Sequence, residues 1–283
     1  MHCGIGDKEA QVVHAKGWYL YGIVEQRPAD SWGSAAHLRQ DTDDIQLLQH
    51  ADVAAVVRSV EVADYQPETI RAHMHDPRWL EVMAAHHHSV IESIHRLRPI
   101  LPATFGCVYA DENGLRAGLS ELHETLFAQL QWIADCDEWT VRLYGDVASM
   151  TQSLIQDDPR LLRLQREIDS VSPGRAYLLQ RKMVKELATV MEEAIGERAE
   201  KAFTQVNRTC RCGILQARVT DVDGSQGERE LLRAVFLTPR PSLEAFIEDV
   251  ESIASQDAGL RSEYSGPWPP YSFAKLGEER PHA

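Results

Sequence analysis

Histidine is the residue type that first offers chemistry in this chain. His73 and His75, then His86, His87 and His88, then His95 fall in one short stretch. On a helix His88, Glu92 and His95 lie at i, i+4 and i+7, with Glu81 on the same side, a face that could hold a metal ion. Glu92 and His95 also form an E-x-x-H pair. A carboxylate-bridged two-metal bundle needs a second such pair and two more glutamates on facing helices, and the sequence does not supply them. The simpler reading is a solvated helix face, with His87 alone turned toward the core.

Thiols are the next candidates. Cys107 could act as a nucleophile if a base such as His123 lay within hydrogen-bond reach, yet inside TFGCVY it reads more simply as a small buried strand residue. Cys210-Arg-Cys212 is half of a metal site without its second half, which leaves packing as its role. Gly4-Ile-Gly6 lacks the preceding strand and following helix that phosphate cradling requires. An Arg-bearing loop of the acylphosphatase type and the aromatic strands of an RNA-recognition domain are both missing. These residues predict no catalytic group, no metal site and no cofactor.

The C-terminal segment has a different character. Gly266, Pro267, Trp268, Pro269, Pro270, Tyr271, Ser272 and Phe273 place three aromatics among three prolines. Proline fixes φ and bars a central strand, so an extended, polyproline-like path is expected. Stiff segments present rings at low entropic cost, as binding hot spots do. Two readings follow: the rings form an interaction surface, or they fold back as a lid on their own domain.

The elements that would position these residues follow from pattern. Trp18–Glu25, Ile45–Gln49 and Val53–Glu61 read as strands, the last two joined as a hairpin; residues 27–44 carry too weak a pattern for a helix. Asp76-Pro77 opens a helix carrying Leu80, Met83, Ala84, Ile91 and Ile94, which stops near Arg98-Pro99. Thr104–Ala110 reads as a strand, and Asp111 caps a second helix with Leu115, Leu119, Leu122, Leu126, Leu130 and Ile133 on one face.

In the second half, Glu138–Tyr144 is a strand and Asp158-Pro159 and Ser172-Pro173 start helices, the latter reaching about Glu200. Ala202–Thr209, Arg211–Val219 and Leu231–Leu237 read as strands, with a turn over Asp223–Glu230. Ser242–Ala254 is an amphipathic helix before a terminal strand at Leu260–Tyr264. The expected fold class is α+β with two domains, each a modified ferredoxin-like antiparallel sheet with helices on one face. Residues 1–16 are expected to be a disordered tail, 17–135 the first domain, and 136–283 the second with extra helices and the Pro/aromatic tail.

Composition narrows the partners. With 43% apolar and 25% charged residues among 283 a globular chain is expected; no apolar run reaches membrane-helix length, and the polar, mixed stretch MHCGIGDKEAQVVHAKG predicts no export. Five scattered cysteines suit a reducing cytosol. Its 29 Lys and Arg against 43 Asp and Glu leave a charge of −14, which disfavours nucleic acid and anionic lipid.

The segments Tyr19–Val24 (YLYGIV), His87–Glu92 (H-x-x-V-x-E), Ile100–Tyr109 (ILPATFGCVY), Glu138–Arg142 (EWTVR), Gly174–Lys182 (GRAYLLQRK) and Gly266–Phe273 (GPWPPYSF) occur in this order. Through them the chain resembles the GvpL/GvpF gas vesicle proteins over nearly its whole length. One departure is that the family usually reads LP-x-RFGT where Thr104 and Cys107 stand here. The resemblance implies a non-enzymatic accessory or minor structural protein of gas vesicles, cytoplasmic and vesicle-associated, that assists assembly by engaging the shell protein GvpA and/or other accessory proteins. Read from the residues, the alternatives are a metal-dependent or thiol enzyme using the His-rich helix, or a ligand-sensing ferredoxin-like module.

Overall fold

Aromatic and β-branched side chains at Trp18, Tyr19, Tyr21, Ile23 and Val24 favour a pleated, extended backbone, and Lys16–Glu25 forms strand β1. The computed structural model describes residues 16–26, 45–65, 67–218, 227–255 and 259–274. Of the expected tail at 1–16, residues 1–15 lie outside the described residues, as do the Gly4–Gly6 pair and the weakly patterned 27–44, while Lys16 opens β1 and is not part of a tail.

The described chain divides into two compact units with a boundary between Ala134 and Asp135. In the first, β1 lies inside an antiparallel sheet ordered β2-β3-β1-β4. Here β2 is Ile45–His50, β3 is Val53–Glu61 and β4 is Ile100–Pro102, while β5, Val108–Tyr109, pairs with the start of β1. The β2–β3 hairpin turns at Ala51, whose φ is +50°. Helix α1, Pro67–Met74, precedes α2, Pro77–His95. The Asp76 carboxylate accepts the N–H groups of Arg78 at 3.0 Å and Trp79 at 3.4 Å, and Pro77 sits where no N–H is needed. Tyr19, Tyr21, Val24, Ala54, Val56, Val90, Ile91, Ile94 and Ile100 make one buried cluster between the sheet and α2.

Two expectations in this unit change. The stretch from Thr104 to Ala110 is not one strand: Thr104 and Phe105 are exposed, Gly106 turns the chain at φ +82°, and pairing resumes only at Val108. Cys107 accordingly is half-buried beside the strand rather than buried within it. The second helix is two helices, α3 at Glu112–Glu121 and α4 at His123–Ile133, because the backbone leaves helical geometry at Leu122, which is exposed. Within α2, Ala84 is exposed and His87, Val90 and His95 join Ile91 and Ile94 on the buried side.

The second unit repeats the strand order, β7-β8-β6-β9. Its central β6 covers Cys136–Asp146 and is followed by α5, Val147–Asp157, α6, Pro159–Ser170, and α7, Pro173–Asn207. Strands β7, Cys212–Leu215, and β8, Glu228–Pro239, precede α8, Leu243–Ser255, and the edge strand β9, Leu260–Trp268. In each sheet the first strand pairs with the third and the fourth, the ferredoxin-like arrangement.

The predicted strand at Ala202–Thr209 is instead the last part of α7, to Asn207, and the turn that follows it. Phe203, Thr204 and Val206 have strand propensity, but Ile195, Ala202 and Val206 keep helical spacing and bury against Phe236 and Val250 in one core cluster, so packing overrides propensity. The expected turn over Asp223–Glu230 is replaced at its end by β8, which begins at Glu228; residues 219–226 lie outside the described set. β9 runs past Tyr264 to Trp268 and includes Pro267, tolerable because β9 is an edge. Asp76→Ala removes the α2 cap and is expected to lower stability by about 1 kcal/mol, measured as a shift in urea midpoint at unchanged slope.

Candidate functional site

The expected interaction segment is built onto β6. Residue pairing places Trp268 opposite Glu138 and Ser265 opposite Thr140, so a bulge over Gly266 and Pro267 faces Trp139. Gly266 has φ +156°, and a Cβ there would stand 2.7 Å from the Trp139 indole and 3.0 Å from the Glu138 carbonyl oxygen. Glycine is required by both backbone and space. The Gly266-Pro267 peptide bond is cis.

Beyond Trp268 the chain turns instead of running on as a polyproline-like segment. Tyr271 N–H donates to Pro269 O at 2.7 Å and Phe273 N–H to Pro270 O at 3.2 Å. The Glu138 carboxylate holds this turn, accepting the Ser272 N–H at 2.7 Å and the Ser272 hydroxyl at 2.9 Å. Glu138 is 5% exposed. Burial pushes its carboxyl above the usual range, and the two Ser272 hydrogen bonds draw it back. Pro269, Pro270 and Phe273 are buried, whereas Trp268 and Tyr271 each remain 37% exposed. Tyr264, 39% exposed on the same edge strand, reaches Glu251 through its hydroxyl at 3.4 Å.

A second constellation forms in the first unit. His87 Nε2 lies 3.2 Å from Ala103 O, which can only accept, so Nε2 carries the proton and Nδ1 accepts from the Tyr19 hydroxyl at 2.9 Å. The Tyr19 oxygen in turn accepts the Gly106 N–H at 3.2 Å. Tyr21 stacks on the imidazole at 5.6 Å and Phe105 meets it edge-on at 5.6 Å, while the Tyr21 hydroxyl reaches His86 Nε2 at 3.0 Å. Desolvation lowers the His87 pKa to about 4, raises Tyr21 to about 12, and pushes the Tyr19 phenol higher still. His87 is a neutral buried strut that pins the loop 103–107 onto β1 and α2.

The structure does not assemble the constellations considered for catalysis. Glu92 bonds Arg96 at 2.6 Å and His95 is buried, while among the described residues no group of three or more His, Cys, Asp and Glu is placed to hold a metal. His123 lies 4.0 Å from Asp52 and makes ring contact with His50. Burial pushes up the thiols of Cys107, Cys136, Cys210 and Cys212, Cys210 to about 11, which works against thiolate chemistry. Cys210 donates to Val206 O at 3.2 Å, a packing role. The Glu138–Ser272 clasp was not anticipated; its one sequence signal is a carboxylate among the apolar positions of EWTVR.

A family model described as gas vesicle synthesis protein GvpL/GvpF matches residues 17–275. The chain belongs to the GvpL/GvpF family. It is similar to gas vesicle protein L of Streptomyces sp. (strain CB03234), with 27% identity over 240 residues, covering 83% of this chain and 85% of that protein. Gas vesicle protein L2 of Halobacterium salinarum (strain ATCC 700922 / JCM 11081 / NRC-1) is 23% identical over 271 residues, 94% of each chain. The crystal structure of the gas vesicle protein GvpF from Anabaena sp. PCC7120 superposes with a TM-score of 0.66 at 19% identity, covering 93% of this chain and all of that one, 100%. GvpF from Microcystis aeruginosa gives 0.60 at 18% identity over 92% of this chain and 99% of that chain.

These structural likenesses establish the shared fold. In this GvpL/GvpF chain five of the six quoted segments meet in two separate groups: in the first unit YLYGIV, the helix carrying His87 and the loop of ILPATFGCVY meet at the imidazole, and in the second EWTVR meets GPWPPYSF at Glu138 and Trp139. Thr104 is exposed in the pinned loop.

Gly266→Ala is expected to cost about 2 kcal/mol or more and to raise protease sensitivity at the C-terminus; a wild-type urea midpoint would contradict the packing of Gly266 on Trp139. For His87 the folded pKa lies below the ordinary value, so its contribution to stability is present above pH 6.5 and is lost as pH falls toward about 4. The stability difference between wild type and His87→Gln, followed by denaturation across that window, should therefore shrink as pH falls.

Proposed function

We infer that the protein serves gas vesicle assembly as a non-enzymatic accessory or minor structural component, in the cytoplasm and associated with the vesicle. The observation that carries this reading is the match to the GvpL/GvpF family across residues 17–275. It acts by binding GvpA and/or other gas vesicle accessory proteins. Support for a binding role over a catalytic one comes from the chemistry of the residues: the described thiols are raised by burial and His87 is held neutral inside a satisfied network. No described helix is long and apolar enough to cross a membrane, and the charge of −14 disfavours nucleic acid.

The GPWPPYSF segment is assigned two duties. Gly266, Pro267, Pro269, Pro270 and Phe273 secure the segment to its own unit, and Trp268 and Tyr271 carry the contact with the partner. Half-exposed aromatic rings on a backbone held by the Glu138 clasp are pre-ordered, which limits the entropy lost on association. In vesicle-forming cells, a photoreactive residue at Trp268 should crosslink to GvpA or to another gas vesicle protein, and a pull-down with purified protein should recover the same partner. Normal vesicles in a deletion strain, together with no recovered partner, would overturn the assembly role.

A further inference from the structure

The first half of α7 has a charged and apolar face that nothing in its own unit covers. Ala176, Leu179, Met183, Glu186 and Leu187 are half-buried on one side, where α7 packs with α5 and α6. Tyr177, Arg181, Val184 and Ala188 stand at i, i+4, i+7 and i+11, and Leu178, Lys182 and Lys185 form the adjacent row. All seven are exposed; Tyr177 is 60%, Leu178 64% and Val184 69% accessible. From Tyr177 to Ala188 the row spans roughly 16 Å at about 1.5 Å per residue.

Charge in this region is opposite to that of the chain. Residues 173–188 hold four Lys and Arg (Arg175, Arg181, Lys182 and Lys185) against one acidic residue, Glu186, a net of +3, whereas the whole chain carries −14. Further along α7 the cations that pack on it are neutralised: Arg160 bonds Asp158 and Glu193, and Arg229 bonds Glu192. Among the described residues, Arg181, Lys182 and Lys185 enter no such ion pair. Cations left unneutralised beside exposed Tyr, Leu and Val form a surface with both a hydrophobic and an electrostatic demand.

We propose that the outer face of α7 between Tyr177 and Ala188 docks an amphipathic helix of a partner protein whose apolar stripe is flanked by Asp and Glu. The apolar side chains supply buried area and the cationic row selects the acidic flanks and speeds encounter. A second copy of this chain is a poor occupant, because a two-fold contact would set one cationic row against another. The surface contains no residue of the GPWPPYSF segment, so its failure leaves the assembly role standing.

The test uses the full-length protein and a fluorescein-labelled synthetic amphipathic peptide of about five helical turns, with a leucine stripe flanked by glutamate, and its lysine-flanked counterpart. Anisotropy should show binding of the glutamate peptide, weakened by salt, and none of the lysine peptide. Val184→Glu and the double variant Arg181→Glu/Lys185→Glu, both at exposed positions and checked for helical content by circular dichroism, should each weaken binding about tenfold or more. Equal binding to the variants, equal binding of the two peptides, or no binding at millimolar peptide overturns the proposal. So does a wild-type dimer that Val184→Glu converts to monomer, or displacement of the peptide by a DNA oligonucleotide.

Discussion

Burying a carboxylate in the central strand of a sheet is unfavourable unless donors meet it, and the C-terminal end of this protein is arranged around that requirement. Ser272 brings two donors to Glu138, which fixes the turn after Trp268. That turn can form only if β9 stays in register along β6, and the register depends on a glycine at 266 that allows the backbone to lie against Trp139. Trp139 in turn contacts Phe246 of α8 and belongs to the core cluster shared by β6, β8, α7 and α8. Tail, sheet edge and core of the second unit are therefore one packing problem, and the exposure of Trp268 and Tyr271 is set by it.

The first unit solves an analogous problem with a neutral group. An imidazole taken out of water has both nitrogens to satisfy, and Tyr19 and the Ala103 carbonyl satisfy them with opposite polarity. The tautomer follows from the partners, and Gly106 extends the chain of hydrogen bonds by donating to Tyr19. The loop between β4 and β5 is tied to β1 at its ends by backbone hydrogen bonds, Ala103 N–H to Tyr21 O and Leu20 N–H to Cys107 O, both at 2.9 Å, and between them by this network and the contact of Phe105 with His87. In both units a buried polar residue, Glu138 on the central strand and His87 packed against it, helps tie down an irregular segment next to the β-ladder.

Surface charge divides the second unit in another way. Further along α7 the neighbouring cations are paired with Asp158, Glu192 and Glu193, whereas in its first half one side packs with α5 and α6 and the opposite side exposes Tyr177, Leu178 and Val184 beside Arg181, Lys182 and Lys185. A helix that packs through one face leaves its outer face free of the core. This separates the residues that stabilise the fold from those available for contact.

Much of the architecture was legible from local pattern. Asp-Pro pairs at 76–77 and 158–159 mark helix starts because capping and a fixed φ act within a few residues, and the strands β1, β2 and β3 show in their aromatic and β-branched content. The landmark segments identified the family, since identity resides in residue types and order. Length and charge were equally available from the chain. Tertiary structure decided the rest: that Ala202–Val206 is helix, that Leu122 interrupts α3 and α4, that Pro267 sits in an edge strand, and that Glu138 holds Ser272. The helix at Ala202–Val206, the edge place of Pro267 and the Glu138–Ser272 pair depend on partners far away in sequence, and burial against such partners outweighs the fraction of a kilocalorie by which local propensities differ.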